Sequence, residues 1–149
     1  MKMSTKGRYA LEIIVDLAMH STPERLESLK NIAQRRQLSE KYLERIIKAL
    51  KDQGVVKSVR GAYGGYCLAV PSESLTVYTV LTAVEGELTP VRCLTKESDC
   101  GVSCDLCPTR NTWGSMWETI TRTADSITIA DILHKAEAIS EEDGGRSED

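Results

Sequence analysis

The chain has 149 residues, of which 41% are hydrophobic and 28% charged, a balance typical of one globular domain or of two very small ones sharing a core. Phe is absent and aromatic residues reach only 5%, so the core is expected to be aliphatic. The best early apolar stretch, residues 10–19, is interrupted by Glu12 and Asp16, which excludes a membrane span or a signal peptide. We therefore expect a cytoplasmic protein with no membrane partner, in which the five cysteines do not form a disulfide framework.

Charge is distributed unevenly between the two halves of the chain. Residues 1–70 contain 13 Lys and Arg against 7 Asp and Glu, a balance of +6. Residues 71–149 contain 6 against 15, a balance of −9. A basic half indicates that this part of the chain meets a polyanion, so a nucleic-acid contact is expected in the first half.

Residues 1–72 are predicted to form three helices followed by a β-hairpin. Serines at positions 4, 28 and 39 stand where each helix begins, as N-capping residues do. The apolar spacing of the first helix places Glu12 and Asp16 opposite its buried face, and that of the second leaves Arg35 and Arg36 facing outward. The third helix is expected to run from Ser39 to about residue 53. Its apolar, inward-facing residues are expected to be Leu43, Ile46, Ile47 and Leu50.

Two β-prone runs, residues 55–59 and 66–70, flank a glycine-rich turn, which is a hairpin signal. A helix-turn-helix followed directly by a hairpin defines a winged helix, in which one helix enters the major groove of DNA and the wing reaches the backbone or minor groove. The predicted fold class is therefore mostly α with a small β wing, and the winged helix-turn-helix occupies residues 1–72.

The residues expected to contact DNA lie at the start of the third helix and in the wing: Ser39, Lys41, Tyr42, Glu44, Arg45, Arg60, Gly61 and Gly64. Lys41 and Arg45 suit phosphates or guanine edges, and Glu44 can accept from the amino group of cytosine. Two simpler interpretations stay open, because Glu44 is also one helical turn from Lys48 and Tyr42 can be partly buried.

The second half of the chain is predicted to contain an apolar helix, a loop and two further helices. A connecting helix and the cysteine-bearing loop occupy residues 73–107, and a dimerisation helix with a C-terminal helix occupies 108–138. The dimerisation helix carries Trp113, Met116, Trp117 and Ile120 at spacings of three and four, which gives it one broad apolar face. Residues 139–149 are expected to be a disordered acidic tail.

Four of the five cysteines, Cys93, Cys100, Cys104 and Cys107, form a C-x6-C-x3-C-x2-C pattern. Thiolates at such spacing can hold an iron–sulfur cluster or another soft metal. Zinc is the second interpretation of this pattern and a thiol–disulfide switch the third. The fifth, Cys67, alternates with inward positions of a wing strand and is expected to be a small buried or half-buried residue rather than a ligand.

Three stretches of the sequence are recognisable together: STKGRYA at 4–10, LSEKYLE at 38–44 and SVRGAYGGY at 58–66. Over residues 1–135 the chain resembles the winged-helix family of the iron–sulfur cluster regulator IscR. This resemblance implies a homodimeric transcription regulator that binds double-stranded DNA at a palindromic operator and senses an iron–sulfur cluster, most simply of the 2Fe–2S type.

The resemblance also assigns the cysteines. Cys93, Cys100 and Cys107 align with the three cysteine ligands of the family. The family's histidine, three residues after the last of these, is replaced here by Arg110, which cannot ligate a metal. Cys104 is the candidate for the fourth ligand, and a ligand from the partner subunit is the alternative.

The basic first half and the cysteine-bearing second half together leave three alternative functions. The first is a cluster-sensing regulator, of iron–sulfur biogenesis genes by resemblance, whose cluster occupancy alters operator choice. The second is a zinc-stabilised or thiol-redox winged-helix repressor of the same family that controls other stress or sulfur genes. The third is a small electron-transfer protein. The wing and the basic first half argue against it, since an electron carrier needs neither. No nucleophile–base pair, P-loop or carboxylate pair indicates an enzyme.

Overall fold

A computed structural model describes residues 2–96 and 100–146. The described residues form the following α-helices and strands, in chain order: α1 Thr5–His20, α2 Leu29–Arg36, α3 Glu40–Asp52, β1 Val56–Val59, β2 Gly65–Leu68, α4 Val77–Glu85, α5 Arg110–Ser126 and α6 Ile129–Arg146. Strands β1 and β2 pair antiparallel. This order confirms the predicted arrangement of three helices, a hairpin and a helical second half. Across these two ranges, no helix has the length and apolar character needed to cross a membrane.

The first three helices begin where the sequence predicts. At each start a serine side chain accepts a hydrogen bond from the backbone N–H three residues further on, from Gly7 to Ser4, Asn31 to Ser28 and Tyr42 to Ser39 (3.2, 3.1 and 3.2 Å). Between α2 and α3, Gln37 adopts a left-handed conformation (φ 55°), so the connection takes only three residues, 37–39. Capping and this tight turn together fix the angle between the two helices.

An aliphatic core joins the winged domain to the C-terminal helix. Its largest fully buried side chains come from α1, α2, α3, the segments beside β1 and α4, and the start of α6: Ile13, Ile14, Leu17, Ile32, Leu43, Ile46, Ile47, Leu50, Val55, Leu75 and Ile129. The apolar face predicted for the third helix is the face that is buried. A second, smaller cluster of Leu81, Leu88 and Ala124 packs α4 against α5.

Asp16 is fully buried, which corrects the prediction that it lies opposite the core. Its carboxylate accepts hydrogen bonds from Nε and Nη2 of Arg35 (3.0 and 2.8 Å) and from Nε of Arg36 (3.0 Å). The two arginines, predicted to face outward, fold back and keep 30% and 32% of their side chains exposed. Helical periodicity could not show this, because the partners come from another helix that packs across α1. The pKa of Arg35 lies above its ordinary value, and the largest cause is the hydrogen bonding to Asp16.

Glu27, just before α2, links the same arginine to the wing. Its Oε2 accepts from Nη2 of Arg35 (2.7 Å). Its backbone exchanges two hydrogen bonds with Tyr66 of β2, one donated by each N–H (2.9 and 2.8 Å). Burial opposes ionisation of Glu27, but hydrogen bonds from Asn31 and Arg35 outweigh it and lower the pKa of this carboxyl. Glu27 therefore acts as a short third strand beside the hairpin while its side chain stays charged.

Gly65 is required where the hairpin meets Glu27. Its φ is +153°, and a Cβ at this position would lie 2.6 Å from the carbonyl oxygen of Glu27. A side chain here would push the wing away from Glu27. The close backbone approach therefore depends on the glycine.

The first of the two C-terminal helices begins near its predicted start, and the second extends beyond its predicted end. Helix α5 begins at Arg110, close to the expected Pro108. Helix α6 begins at Ile129, after Thr128 and Asp131 each accept a hydrogen bond from the other's backbone N–H (3.1 and 2.9 Å). It continues to Arg146, whereas the sequence predicted an end at residue 138 and a disordered tail beyond it. Extending an existing helix is far easier than nucleating one, and Glu141 and Glu142 in this segment favour helix, although Gly144 and Gly145 near its end do not. Residues 147–149 of the predicted tail lie outside the described residues.

Asp16→Asn tests the energetic role of the buried carboxylate. The substitution keeps the shape of the side chain but leaves two guanidinium groups facing an amide. We expect it to lower the free energy of unfolding by about 3 kcal/mol, measured by urea denaturation at one protein concentration.

Asp52→Asn is the matched control, because Asp52 forms an exposed ion pair with Lys48 (2.8 Å). It should change the stability little, since exposed pairs contribute little. Equal losses in the two variants would contradict a special role for Asp16.

Candidate nucleic-acid interface

The first turns of α3 present a charged face to solvent. Lys41, Glu44 and Arg45 are exposed, while Leu43 and Ile46 in the same two turns are buried. Helices that read the major groove contact base edges from such N-terminal positions. The charged face therefore has the placement that a major-groove helix requires.

Ser39 and Tyr42 have structural roles at the same helix end. Ser39 is the N-cap of α3. Tyr42 is half-buried and meets the ring of Tyr9 edge-on, with ring centroids 5.9 Å apart and an interplanar angle of 83°. The structure therefore agrees with the simpler interpretation of Tyr42, in which its side chain is partly buried. This ring contact attaches the start of α3 to α1.

Glu44 does not form the ion pair with Lys48 that the sequence left open. Lys48 instead binds Asp52, with Nζ and Oδ2 2.8 Å apart, and this bond raises the pKa of Lys48. Glu44 is exposed, and its carboxylate makes no hydrogen bond or ion pair with any residue that the structure describes. Its carboxylate is available to an external partner.

The wing ends in a tight turn, as its glycines predict. The N–H of Gly64 donates to the carbonyl of Gly61 (3.0 Å). A Cβ on Gly64 would lie 2.1 Å from the carbonyl oxygen of Val59, so no other residue fits there without opening the turn. Arg60 and Tyr63 are exposed at the tip. The rigid turn holds the Arg60 backbone in a fixed place.

A groove of about 590 Å³ separates α3 from the wing. Among the predicted DNA-contacting residues it brings together Glu44, Arg60, Gly61 and Gly64. The remaining four, Ser39, Lys41, Tyr42 and Arg45, do not line the groove and lie along α3. The groove is also lined by Lys48 and Lys51, which the sequence analysis did not assign to DNA. Lys51 follows Glu44 by seven residues, or about two helical turns, and this spacing was the available signal.

The cysteine loop is held by local bonds. Cys93 lies in a short 3₁₀ turn, Arg92–Leu94, and Cys104 begins a second one, Cys104–Leu106. The thiol of Cys107 lies 3.5 Å from Oγ1 of Thr109, and hydrogen bonding from Thr109 lowers the pKa of this thiol. Cys100 donates to the carbonyl of Val102 (3.6 Å). None of the five cysteines forms a disulfide.

The donor set of the loop suits a soft metal, since four thiols lie within one segment and the pKa of one is lowered. Within residues 2–96 and 100–146, however, no three His, Cys, Asp or Glu side chains converge on a point where a metal ion could sit. Residues 97–99, between Cys93 and Cys100, lie outside the described part of the chain. Holding a cluster would therefore require the loop to close around it.

Arg110 connects the loop to α5. Its Nη1 donates to the carbonyl oxygen of Cys93 (3.1 Å), and it is the first residue of the helix. The position at which the family resemblance implies a histidine thus carries a structural link. The loop and the start of α5 are joined through this bond.

Two further predictions concern single elements. Cys67 on β2 is buried, as expected, and burial raises the pKa of its thiol. On α5, Trp113, Trp117 and Ile120 are half-buried and Met116 is exposed. The apolar face of the predicted dimerisation helix is therefore only partly covered within one chain.

Comparison with known proteins places this geometry in a family. Residues 3–135 match the sequence profile of Rrf2, described as an iron-dependent transcriptional regulator. The Rrf2 protein of Nitratidesulfovibrio vulgaris is 38% identical over 136 residues, which cover 91% of this chain and 89% of that protein. The transcriptional regulator CymR of Bacillus subtilis is 39% identical over 132 residues, which cover 89% of each protein.

Solved structures agree with the sequence match. The structure of B. subtilis CymR, described as the global cysteine regulator, has a TM-score of 0.73 at 36% identity and covers 91% of this chain and 98% of its own. IscR of T. potens has a TM-score of 0.75 at 39% identity and covers 93% and 90%. These similarities confirm the predicted winged-helix fold.

Arg60→Ala tests the wing. The probe is a palindromic duplex selected from a random-sequence pool by the wild-type protein. We expect the variant to bind this duplex roughly tenfold more weakly and to lower the salt dependence by about one phosphate-equivalent. If the arginine lies in the minor groove, the loss should instead depend on local A·T content.

Arg122→Ala is the control, because Arg122 is an exposed arginine on α5, remote in sequence from the wing. It should leave the affinity unchanged. Unchanged affinity for Arg60→Ala in the same titration would contradict both versions of the wing contact.

Proposed function

Because the chain belongs to the Rrf2 family of transcription regulators, we propose that it binds a palindromic operator as a homodimer, with α3 in the major groove and the wing on the adjacent backbone or minor groove. We further propose that an iron–sulfur cluster held by the cysteine loop alters operator choice. The observation that carries the DNA-binding part is the single charged surface that α3 and the wing form across the groove of about 590 Å³. The protein is a regulator and not an enzyme, and binding chromosomal operators requires it to act in the cytoplasm.

The charges of this surface support contact with a duplex. Lys41 and Arg45 on α3, with Lys48 and Lys51 along the groove and Arg60 at the wing, present cations to a polyanion. Contacts of this kind position a protein on DNA without reading its sequence. Sequence is read by the groups that reach base edges, and Glu44 is the group without an internal partner that is placed to do so.

The homodimer is supported by the uncovered face of α5. A single winged helix reads few base pairs, whereas a symmetric pair about 34 Å apart reads both halves of a palindrome. The exposed Met116 and the half-buried Trp113 and Trp117 offer apolar area that a second copy of α5 would cover.

The sensing part is supported by the chemistry of the loop and by Arg110. Cys93, Cys100 and Cys107, with Cys104 as the fourth, are the residues that would hold a cluster, most simply of the 2Fe–2S type. Such a cluster supplies a redox-active and oxygen-sensitive centre. The bond from Arg110 to the Cys93 carbonyl transmits a change in the shape of the loop to the first turn of α5.

A thiol switch or a zinc site is the second candidate for this loop. The observation that favours the thiol switch is the arrangement of the described residues, which gathers no three metal donors while leaving Cys107 with a lowered pKa. A zinc site, like a cluster, would need four donors of the loop to converge. One of the matched relatives is described as a cysteine regulator. The two candidates share the DNA-binding surface and differ in what the cysteines do.

Single cysteine-to-alanine variants separate these candidates. We expect Cys93→Ala, Cys100→Ala, Cys104→Ala and Cys107→Ala to give iron-poor, colourless protein after anaerobic purification. The readouts are the visible spectrum and the iron, sulfide and zinc content. All four should remain folded, because the aliphatic core contains none of these residues.

Cys67→Ala is the matched control and should keep full colour, since Cys67 is buried in the wing. Wild-type protein that is colourless and contains zinc would favour the zinc site. Wild-type protein without metal would favour the thiol switch. A Cys104 variant with normal iron would assign the fourth ligand elsewhere.

Glu44→Ala tests operator choice. An ionised carboxylate facing a base that offers no donor costs roughly 1–3 kcal/mol, which is enough to exclude one class of operator. Removing it should let cluster-free protein bind duplexes that otherwise require the cluster, measured by titration against a panel of duplexes. Glu40→Ala, one turn earlier on α3 and also exposed, is the control and should keep the wild-type pattern. Unchanged selectivity of cluster-free Glu44→Ala would place the switch in other residues.

A further inference from the structure

We propose that Arg35 is a positioning residue for operator binding, which acts through Glu27 to hold the wing in place relative to α3. This inference rests on the proposed binding of DNA by α3 and the wing. Arg35 belongs to α2 and is not among the residues that form that surface. Its effect on DNA is therefore transmitted through other side chains.

The guanidinium of Arg35 joins two carboxylates from different parts of the chain. Nε and Nη2 hold Asp16 of α1 (3.0 and 2.8 Å), and the same Nη2 holds Glu27 (2.7 Å). Asp16 is fully buried and packed in α1, so it gives the arginine a fixed point. Glu27 is thereby held at a fixed distance from the core of the helical domain.

Glu27 in turn fixes the wing. Its backbone makes two hydrogen bonds with Tyr66 in β2, and the carbonyl approaches Gly65 too closely for any side chain there. Its other carboxylate oxygen accepts from Ser28 N–H and Asn31 Nδ2 (2.9 Å each), so the side chain has little freedom. A shift of Glu27 therefore moves β2, and with it the turn that presents Arg60.

Arg36 provides a built-in comparison. It binds the same Asp16 carboxylate (3.0 Å), comes from the same helix and is exposed to almost the same degree, yet no contact with Glu27 is present among the described residues. Arg35 makes two hydrogen bonds to Asp16 and Arg36 makes one, and of the two only Arg35 also bonds to Glu27 and so to the wing. Replacing each by lysine keeps the net charge and removes the fork of donors.

The experiment is a pair of double-mutant cycles with the selected palindromic duplex as probe. The variants are Arg35→Lys, Arg36→Lys and Arg60→Ala, with the two doubles that combine each lysine variant with Arg60→Ala. We expect Arg35→Lys to weaken binding roughly 3- to 30-fold and to lower the salt dependence although the charge is unchanged. In the Arg35→Lys background, Arg60→Ala should lose most of its effect, whereas with Arg36→Lys the effects should multiply independently.

Glu27→Gln is a second, milder variant that keeps every bond to Asp16 and the backbone pairing with Tyr66. It also distinguishes a positioning role from direct contact between Arg35 and DNA. Removing a negative charge from Glu27 would strengthen or leave unchanged a direct contact, whereas a positioning role predicts weaker binding. Urea denaturation of each variant checks that the affinities refer to folded protein.

The outcomes are distinct. Independent effects of Arg35→Lys and Arg60→Ala, or equal coupling of Arg35 and Arg36 to Arg60, would overturn the positioning role while leaving the proposed function intact. If the wild-type protein selects no duplex, or if Arg60→Ala does not weaken binding, the proposed DNA contact itself is overturned. Coupling specific to Arg35, together with weaker binding of Glu27→Gln, would support the inference.

Discussion

The carboxylate of Asp16 lies inside the protein with no exposed surface, and a charge in such a place must be paired. Arg35 and Arg36 of α2 donate hydrogen bonds to this carboxylate. Arg35 also donates to Glu27, which pairs with the wing. The burial of apolar surface is non-directional, so the aliphatic core alone specifies the placement of α2 and the hairpin on α1 less sharply than directed hydrogen bonds do. The directed hydrogen bonds of this cluster fix the positions of three elements at once.

Most of the winged domain follows from local sequence signals. The capping serines and the apolar stripe of α3 predict the helices where they occur, because caps and amphipathic spacing act within one or two turns. The glycine-rich turn likewise predicts the wing. The burial of Asp16 and the inward turn of Arg35 could not be predicted in this way, because each residue depends on the other and the two lie on different helices. A charged residue on a helix is normally solvated, and only the tertiary structure shows the exception.

The candidate site was predictable in part for the same reason. Position in the predicted elements was enough to name Glu44, in the first turns of the third helix, and Arg60, in the wing. For Glu44, the sequence analysis left open an ion pair with Lys48. The structure pairs Lys48 with Asp52 and leaves Glu44 available. The spacing of the cysteines predicts a loop whose thiols could bind a soft metal, yet spacing does not determine whether the thiols converge, because loop conformation depends on what the loop encloses. Arg110 illustrates this limit, since it bonds to the Cys93 carbonyl at the position where the family resemblance implies a histidine ligand.

The central claim is that the helices and the wing form one rigid unit held by the cluster around Asp16. Native-state hydrogen exchange tests it most directly through the amides of Tyr66 and Glu27, which bond to each other's carbonyl oxygens, with the amide of the buried Ile47 in α3 as reference. The three amides should exchange with the same free energy of opening, that of global unfolding. Opening of Tyr66 and Glu27 at a markedly lower free energy than Ile47 would show that the wing moves independently and would contradict the claim.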